Sequence, residues 1–412
     1  MAATQAALSH LKVLDLSRVL AGPWCTQMLA DLGADVVKVE RPGSGDDTRH
    51  WGPPFLPDAE GAETPHATYF TACNRNKRSV TIDIAQPQGQ ALLRQLAQQS
   101  DILVENFKVG GLAQYGLDYA SLKALHPGLI YCSITGFGQD GPYAPRAGYD
   151  LMVQAMSGMM SITGQPEGGP TRVGVALTDL FTGVYATSAI LAALEVRNRT
   201  GAGQHIDMAL LDVGMAILAN QAAGFLNTGA VPLRQGNAHP SLVPYQDFET
   251  QDGAMLLAVG NDGQFARFSE IAGHPEWAQD ARFATGANRV RHREVLVRCI
   301  QDVTRTRSTA DWIAALEHRA VPCGPINTVA QAFADAQVQA RGLQVEQATS
   351  ACAQTQSGVA SIATVASPLR LQATPPVLRN APPALGEHTE AVLMELGLGP
   401  ADIAALRDAA VI

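Results

Sequence analysis

Val13-Leu14-Asp15-Leu16-Ser17-Arg18-Val19-Leu20-Ala21-Gly22-Pro23 begins as a β-branched run, breaks at a polar turn, and enters a helical pattern from about Gly22 to Leu32. Val36-Val37-Lys38-Val39 follows as a second run. Strand, helix and strand within roughly 30 residues make a βαβ unit, whose two strands lie parallel. The alternation continues outward. Ser79 to Ile84 reads as a strand, Pro87 to Ala97 as a helix, Ile102-Leu103-Val104 as a strand, and Leu129 to Ile134 as another after a helix near Tyr119 to Leu125. Strands alternating with helices of this length predict an α/β fold, a Rossmann-like doubly wound parallel sheet with helices on both faces. Long helices are expected near Tyr149 to Met160, Asp179 to Asn198 and Leu210 to Leu226.

Beyond these helices the pattern changes. Arg234-Gln235-Gly236-Asn237-Ala238-His239-Pro240 is rich in turn formers, a hairpin is expected around Gln251-Asp252-Gly253, and short helices follow between Gln264 and His318. The expected division is 1–228 for the first part of a large α/β domain, 229–330 for a smaller α+β domain, and 331–412 for a segment returning to the large one. Strands near Val345 and Leu369 to Leu371, the crossings Pro375-Pro376 and Pro382-Pro383, and a helix from Thr389 to Leu396 make up that return.

Composition excludes several classes. The 412 residues carry 29 Lys and Arg against 38 Asp and Glu, a formal charge of −9, with 46% hydrophobic and 16% charged residues. An intrinsically disordered chain has the opposite balance, and an acidic surface repels phosphate backbones, so no nucleic-acid partner is expected. Cys25, Cys73, Cys132, Cys299, Cys323 and Cys352 show no CxxC spacing and read as reduced, mostly buried thiols. Met1 to Lys12 has no secretory pattern and the most apolar stretch, Gly183 to Leu194, ends at Glu195, so no membrane association and a cytoplasmic location are expected.

Walker, HExxH, GxSxG and GxGxxG motifs are missing from the first βα unit. The turn Leu16 to Pro23 instead presents backbone amides at a helix N-terminus beside Arg18, an arrangement suited to an anion. Further positive charge sits in Glu40-Arg41-Pro42-Gly43 through Arg49 and in Asn74-Arg75-Asn76-Lys77-Arg78, each beside a strand end. In an acidic chain with few charges, such placement looks more like a set of ligands for a phosphate-bearing small molecule than like a solvated charge run. Asn106-Phe107 offers an amide and an aromatic face at another strand end, where open α/β sheets bind ligands. Asp179, where an apolar run turns into an apolar helix, reads either as a helix cap or as a carboxylate nucleophile.

Taken together, Leu11 to Arg49, Asn74 to Asp83, Asp101 to Phe107, Tyr131 to Asp150, Pro170 to Gly183 and Leu385 to Thr389 resemble, in collinear order, the class III coenzyme A transferases. That family includes formyl-CoA and carnitine CoA-transferases and is related to α-methylacyl-CoA racemase. Gly45-Asp46-Asp47-Thr48-Arg49, Trp51-Gly52-Pro53-Pro54-Phe55, Arg146-Ala147-Gly148-Tyr149-Asp150, Gly236-Asn237-Ala238-His239-Pro240 and Val321-Pro322-Cys323-Gly324-Pro325-Ile326-Asn327 resemble its succinyl-CoA:glutarate branch.

The resemblance implies an interlocked homodimer that moves CoA from an acyl-CoA to a free carboxylic acid, with neither metal nor redox cofactor. It implies Asp179 as nucleophile, passing through aspartyl anhydrides and an aspartyl-CoA thioester. The implied CoA contacts are Arg18, Val19, Leu20 and Ala21; Arg41; Ile82, Asp83, Ile84 and Ala85; Asn106, Phe107 and Lys108; Gln114; and Ala147, Gly148, Tyr149 and Asp150. Leu20 stands where formyl-CoA transferase has a glutamine, which argues against oxalate or formate, and Gln114 replaces an arginine. For the acceptor acid, Arg49, Arg146, Arg172, Gly236, Asn237 and His239 are candidates. A racemase would need a base where Tyr149 stands, and a tyrosine with its ordinary pKa near 10 is a poor one at neutral pH. A CoA-binding protein without catalysis would have no use for a nucleophile at Asp179.

Overall fold

The computed structural model describes residues 6–350 and 358–412, and Cys352 lies outside them. Lys12–Asp15 (β1) buries Val13 and Leu14, and the chain turns through Ser17–Leu20 into the helix Ala21–Asp31 (α1). Asp35–Glu40 (β2) returns parallel to β1. A small antiparallel ribbon, β3 (Phe55–Pro57) and β4 (Glu63–Ala67), and a single helical turn, α2 (Thr68–Thr71), come next. The alternation resumes with β5 (Lys77–Thr81), α3 (Pro87–Gln98), β6 (Ile102–Glu105), α4 (Tyr119–Leu125) and β7 (Ile130–Thr135). Then follow α5 (Asp150–Met156), α6 (Met159–Ile162), α7 (Leu177–Thr200), β8 (His205–Ala209) and α8 (Leu210–Ala216).

The six strands pair in parallel in the order β5-β2-β1-β6-β7-β8. The chain winds outward from β1 in both directions, so the strand order reverses beside it, and that reversal opens a crevice at the carboxyl ends. Apolar clusters fill both faces. Cys25, Leu29, Ile190 and Leu194 cover one, while Leu93, Leu96, Leu122, Val392 and Leu393 cover the other. Burial on both faces explains why Ile102, Leu103 and Val104 form an unbroken apolar run.

Two compact units divide the chain: Met1–Ser157, Gly174–Ala222 and Gln337–Ile412 form the first, Gly158–Val173 and Ala223–Ala336 the second. Residues 158–173 therefore belong with the smaller unit, a grouping that local pattern did not signal. The second unit has its own core, with Phe248, Phe265, Phe268, Leu296 and Trp312 fully buried. Its antiparallel sheet has the order β11-β10-β9, and the expected hairpin is present as β9 (Tyr245–Glu249) and β10 (Ala254–Ala258), joined by β11 (Cys323–Pro325).

Three local expectations change. The helix beginning at Tyr149 stops at Met156, before Gly158 at φ 90°. The helix expected over Leu210 to Leu226 breaks after Ala216 and resumes as Ala219–Thr228, with Ala219 at φ 45°. The strand near Val345 is present as β12 (Gln344–Ala348), but Leu369 to Leu371 is irregular, and β12 pairs antiparallel with β13 (Ser361–Val365).

The C-terminal segment closes the sheet edge at β5. His388 N donates to Ser79 O at 2.9 Å, and Thr81 N to Thr389 Oγ1 at 3.0 Å. Arg379 donates to the carbonyls of Ala30, Gly33 and Ala34 at the end of α1, supplying the cation that a helix C-terminus favours.

Candidate active site

The turn after β1 is held in a conformation that its residues disfavour. Val19 has φ 71°, which costs a β-branched side chain roughly 1–2 kcal/mol. Two clamps maintain it. Asn106 accepts from Arg18 N at 2.9 Å and donates to Arg18 O at 2.7 Å, while Asp46 accepts from Val19 N at 3.2 Å. Asp46 is held in turn by Lys38, whose Nζ lies 2.9 Å from it and 2.8 Å from Ser17 O. Burial alone would raise the Asp46 carboxyl, but Lys38 and the Thr48 hydrogen bonds bring it down to about 2. Next to this pair Lys77 Nζ contacts Asp15 at 3.0 Å, and all four charged side chains are buried. The outcome is a turn that delivers an N-terminus of α1 without a side-chain cap to the crevice.

A cavity of about 450 Å³ opens there. Arg18, Val19, Leu20 and Ala21 line it from β1, Asn106, Phe107, Lys108 and Gln114 from β6, and Arg146, Ala147, Gly148 and Tyr149 from the loop after β7, with Asp179 among them. A neighbouring cavity of about 440 Å³ is lined by Arg41, Ile82, Asp83, Ile84 and Ala85. Arg18, Ile84 and Phe107 border both, so the two form a continuous trough across the strand ends. Gly136 and Gly148 allow the loop wall to close on β7: a Cβ on Gly136 would fall 2.5 Å from the Gly148 Cα.

Asp179 occupies the first turn of α7 and is only 8% exposed. Its carboxylate accepts no hydrogen bond from any described residue. Burial, then the nearby Asp150 carboxylate, push its pKa from the ordinary 3.8 to about 7. A carboxylate without protein donors, partly desolvated and facing a cavity, is more basic and more nucleophilic than one in water. Immediately behind it, Gly183 lets α7 pack tightly on α1, where a Cβ would fall 2.8 Å from Ala21 O.

Other candidates are engaged elsewhere. Arg49 forms a two-pronged pair with Glu40 at 2.7 Å, donates to Pro383 O and lies over Phe70, so it braces the fold and does not line the trough. The basic run at 74–78 is internal as well. Arg75 pairs with Asp31, Lys77 with Asp15, and Arg78 with Asp35 and Glu395, so no cation of the three is left for a phosphate. Asn106 spends its amide on the Arg18 backbone. Asp150 borders neither cavity and hydrogen-bonds to the start of α7. In the second unit Arg172 is exposed, Gly236 takes φ 59° and donates to Gly164 O, Asn237 is exposed, and His239 accepts from Ser241 N while its ring contacts Tyr245.

Sequence reasoning missed Lys38, Asp46 and Glu105. Lys38 carried a signal, since a lysine inside a doubly buried strand requires an internal anion. Glu105 is 5% exposed at the end of β6, accepts from Phe107 N at 2.7 Å, and is pushed by burial to about 7 despite its Ser133 and Phe107 hydrogen bonds.

Comparison with known proteins agrees with this geometry. The model of CoA-transferase family III matches residues 8–389. A succinate–glutarate CoA-transferase of Agrobacterium fabrum is 53% identical over 389 residues, covering 94% of this chain and 95% of that protein. The human succinyl-CoA:glutarate CoA-transferase is 42% identical, covering 94% and 86%. The crystal structure of a CaiB/BaiF family protein from Brucella suis superposes with a TM-score of 0.82 at 49% identity, covering 95% of this chain and all of that one. A parallel sheet, a strand-end trough and a collinear match over nearly the whole length agree: this chain belongs to CoA-transferase family III.

Proposed function

We propose that this protein transfers CoA from succinyl-CoA to a dicarboxylic acid such as glutarate, with Asp179 as the covalent carrier. The observation that carries this reading is the Asp179 carboxylate, buried, without a donor among the described residues, and set in the wall of the trough. The names of relatives at 42–53% identity favour succinyl-CoA and glutarate as the pair. Attack of a carboxylate oxygen on the donor thioester breaks the C–S bond and gives an aspartyl anhydride with CoA thiolate. The thiolate then attacks the aspartyl carbonyl, releasing succinate and leaving aspartyl-CoA. The acceptor carboxylate displaces CoA to form a second anhydride, and the thiolate returns to the acceptor acyl carbon, restoring Asp179.

Every step passes on an activated acyl group, so the protein's task is to exclude water and to hold anions. Three cations line the cavity that holds Asp179, and Arg41 lines the neighbouring one. Arg18 pairs with Asp47 yet stays half exposed, Lys108 is exposed, and Arg146 stacks on Tyr143 at 3.9 Å. In this reading they meet the phosphates of CoA and the distal carboxylate of the acid.

Assembly as a homodimer is part of the proposal. Leu151, Met152, Met156, Phe181, Val184, Tyr185 and Met215 are exposed apolar side chains on α5, α7 and α8, the kind of surface that a subunit interface covers. Light scattering tests it, and a monomer at micromolar concentration refutes it. The activity is tested with purified protein, succinyl-CoA and a panel of mono- and dicarboxylates, reading acyl-CoA products by mass. Asp179→Ala should abolish transfer while acyl-CoA still binds, and borohydride should reduce the wild-type aspartyl thioester. Full transfer by Asp179→Ala would end the proposal.

A further inference from the structure

Asp150 opens α5 and is buried, with both carboxylate oxygens engaged. Oδ1 accepts from Thr178 N at 2.9 Å, from Thr178 Oγ1 at 2.5 Å and from Asp179 N at 3.4 Å, and Oδ2 accepts from Gln154 Nε2 at 2.7 Å. The residue that precedes α7, Ala176, has no side chain able to cap the helix. A carboxylate from another helix therefore takes the amides at the start of α7. Those amides would otherwise stabilise negative charge within that turn, including charge on Asp179 itself.

We infer, on the reading that Asp179 is the nucleophile, that Asp150 is its positioning residue: it fixes the first turn of α7 and deprives the attacking carboxylate of helix-end stabilisation. The effect is local. α1 carries Cys25 and Asp31, α8 Asp212, β7 Tyr131 and Cys132, and β8 His205 and Asp207, and α7 itself carries Tyr185, Glu195, Arg197 and Arg199. Of these and Asp150, only Asp150 acts appreciably on Asp179. Arg18, Lys108 and Arg146 line the same cavity as Asp179, and none of them acts appreciably on it. Asp150 is thus a fixed negative charge behind a reacting one, and it borders neither cavity that would receive CoA.

The test compares wild type with Asp150→Asn, which keeps an acceptor oxygen toward Thr178 and removes the charge. The acidic limb of kcat/KM against pH should move down by about one pH unit or more, the usual effect of losing a like charge within a few ångströms. At alkaline pH kcat should fall while KM for succinyl-CoA stays within about twofold. A uniform loss at every pH, with the limb unmoved, overturns the inference and leaves Asp150 as helix support only. Infrared titration of the wild type against Asp179→Asn covers the case in which Asp150→Asn fails to fold. A protonated carboxyl that disappears near neutral pH and is missing from Asp179→Asn is expected, and its absence from wild type overturns the inference. Trapping of aspartyl-CoA in wild type separates the two ideas, because an unmoved limb with trapping intact refutes the role of Asp150 alone.

Discussion

Replacing Asp179 by asparagine should stabilise the protein while abolishing transfer. Folding moves the carboxyl from 3.8 to about 7 through burial and Asp150. A folded pKa above the unfolded one means that the native state binds the proton more tightly. Stability from this group is complete below about pH 4 and is lost as pH rises through 7. With 1.36 kcal/mol for each pK unit, the gap corresponds to about 4 kcal/mol lost at about pH 8 and about 2 kcal/mol at about pH 5.5. These are upper figures. No described donor is orphaned, because the carboxylate accepts no hydrogen bond from a described residue. The assay is the thermal midpoint of both full-length proteins at the two pH values. Asp179→Asn should melt roughly 5 °C above wild type at the higher pH, with a smaller advantage at the lower one. An equal or lower midpoint at alkaline pH would show that Asp179 is not held at an energetic cost, and the argument for an activated carboxylate would go with it.

Arg75→Ala should cost roughly 3–5 kcal/mol, because it strands buried Asp31, and should leave acyl-CoA affinity unchanged under conditions where the variant folds; weaker binding with an unchanged midpoint refutes this. Glu105→Gln keeps an acceptor for Phe107 N and removes a carboxyl held near 7, so its midpoint should rise at about pH 8 and hardly change at about pH 5. A gain that is larger in acid contradicts the assignment. Gly136→Ala drives a Cβ into the Gly148 backbone, with an expected cost of roughly 1–3 kcal/mol and a raised KM for acyl-CoA. An unaltered KM would mean that this wall does not shape the trough.

The parallel sheet was legible because its signals are local. β-branched runs alternate with helices, and Gly or Pro punctuates each turn. The trough was legible through Arg18 to Ala21 and Asn106-Phe107, since strand order places these ends together once the fold is known. Charge was read less well. A basic run looks the same in sequence whether its partners are solvent, phosphate or carboxylates, and those of Arg75, Lys77 and Arg78 lie far along the chain at Asp31, Asp15 and Glu395. Arg49 misled for the same reason, its partner Glu40 being fixed only by folding. That Asp150 borders neither cavity was not legible, because which way a carboxylate faces is decided by α7, and α7 reaches it from 28 residues away.

The closure of β5 by His388 and Thr389 has a consequence for synthesis. An emerging chain can assemble β1, β2 and β5 early, but the segment that covers the outer edge is made about 300 residues later. At roughly 5–20 residues per second, that interval is about 15–60 s. Throughout it the edge offers unpaired amides and carbonyls to any neighbouring nascent chain. The edge is therefore exposed until the C-terminal segment docks, and a chaperone that occupies it should raise yield most before that docking.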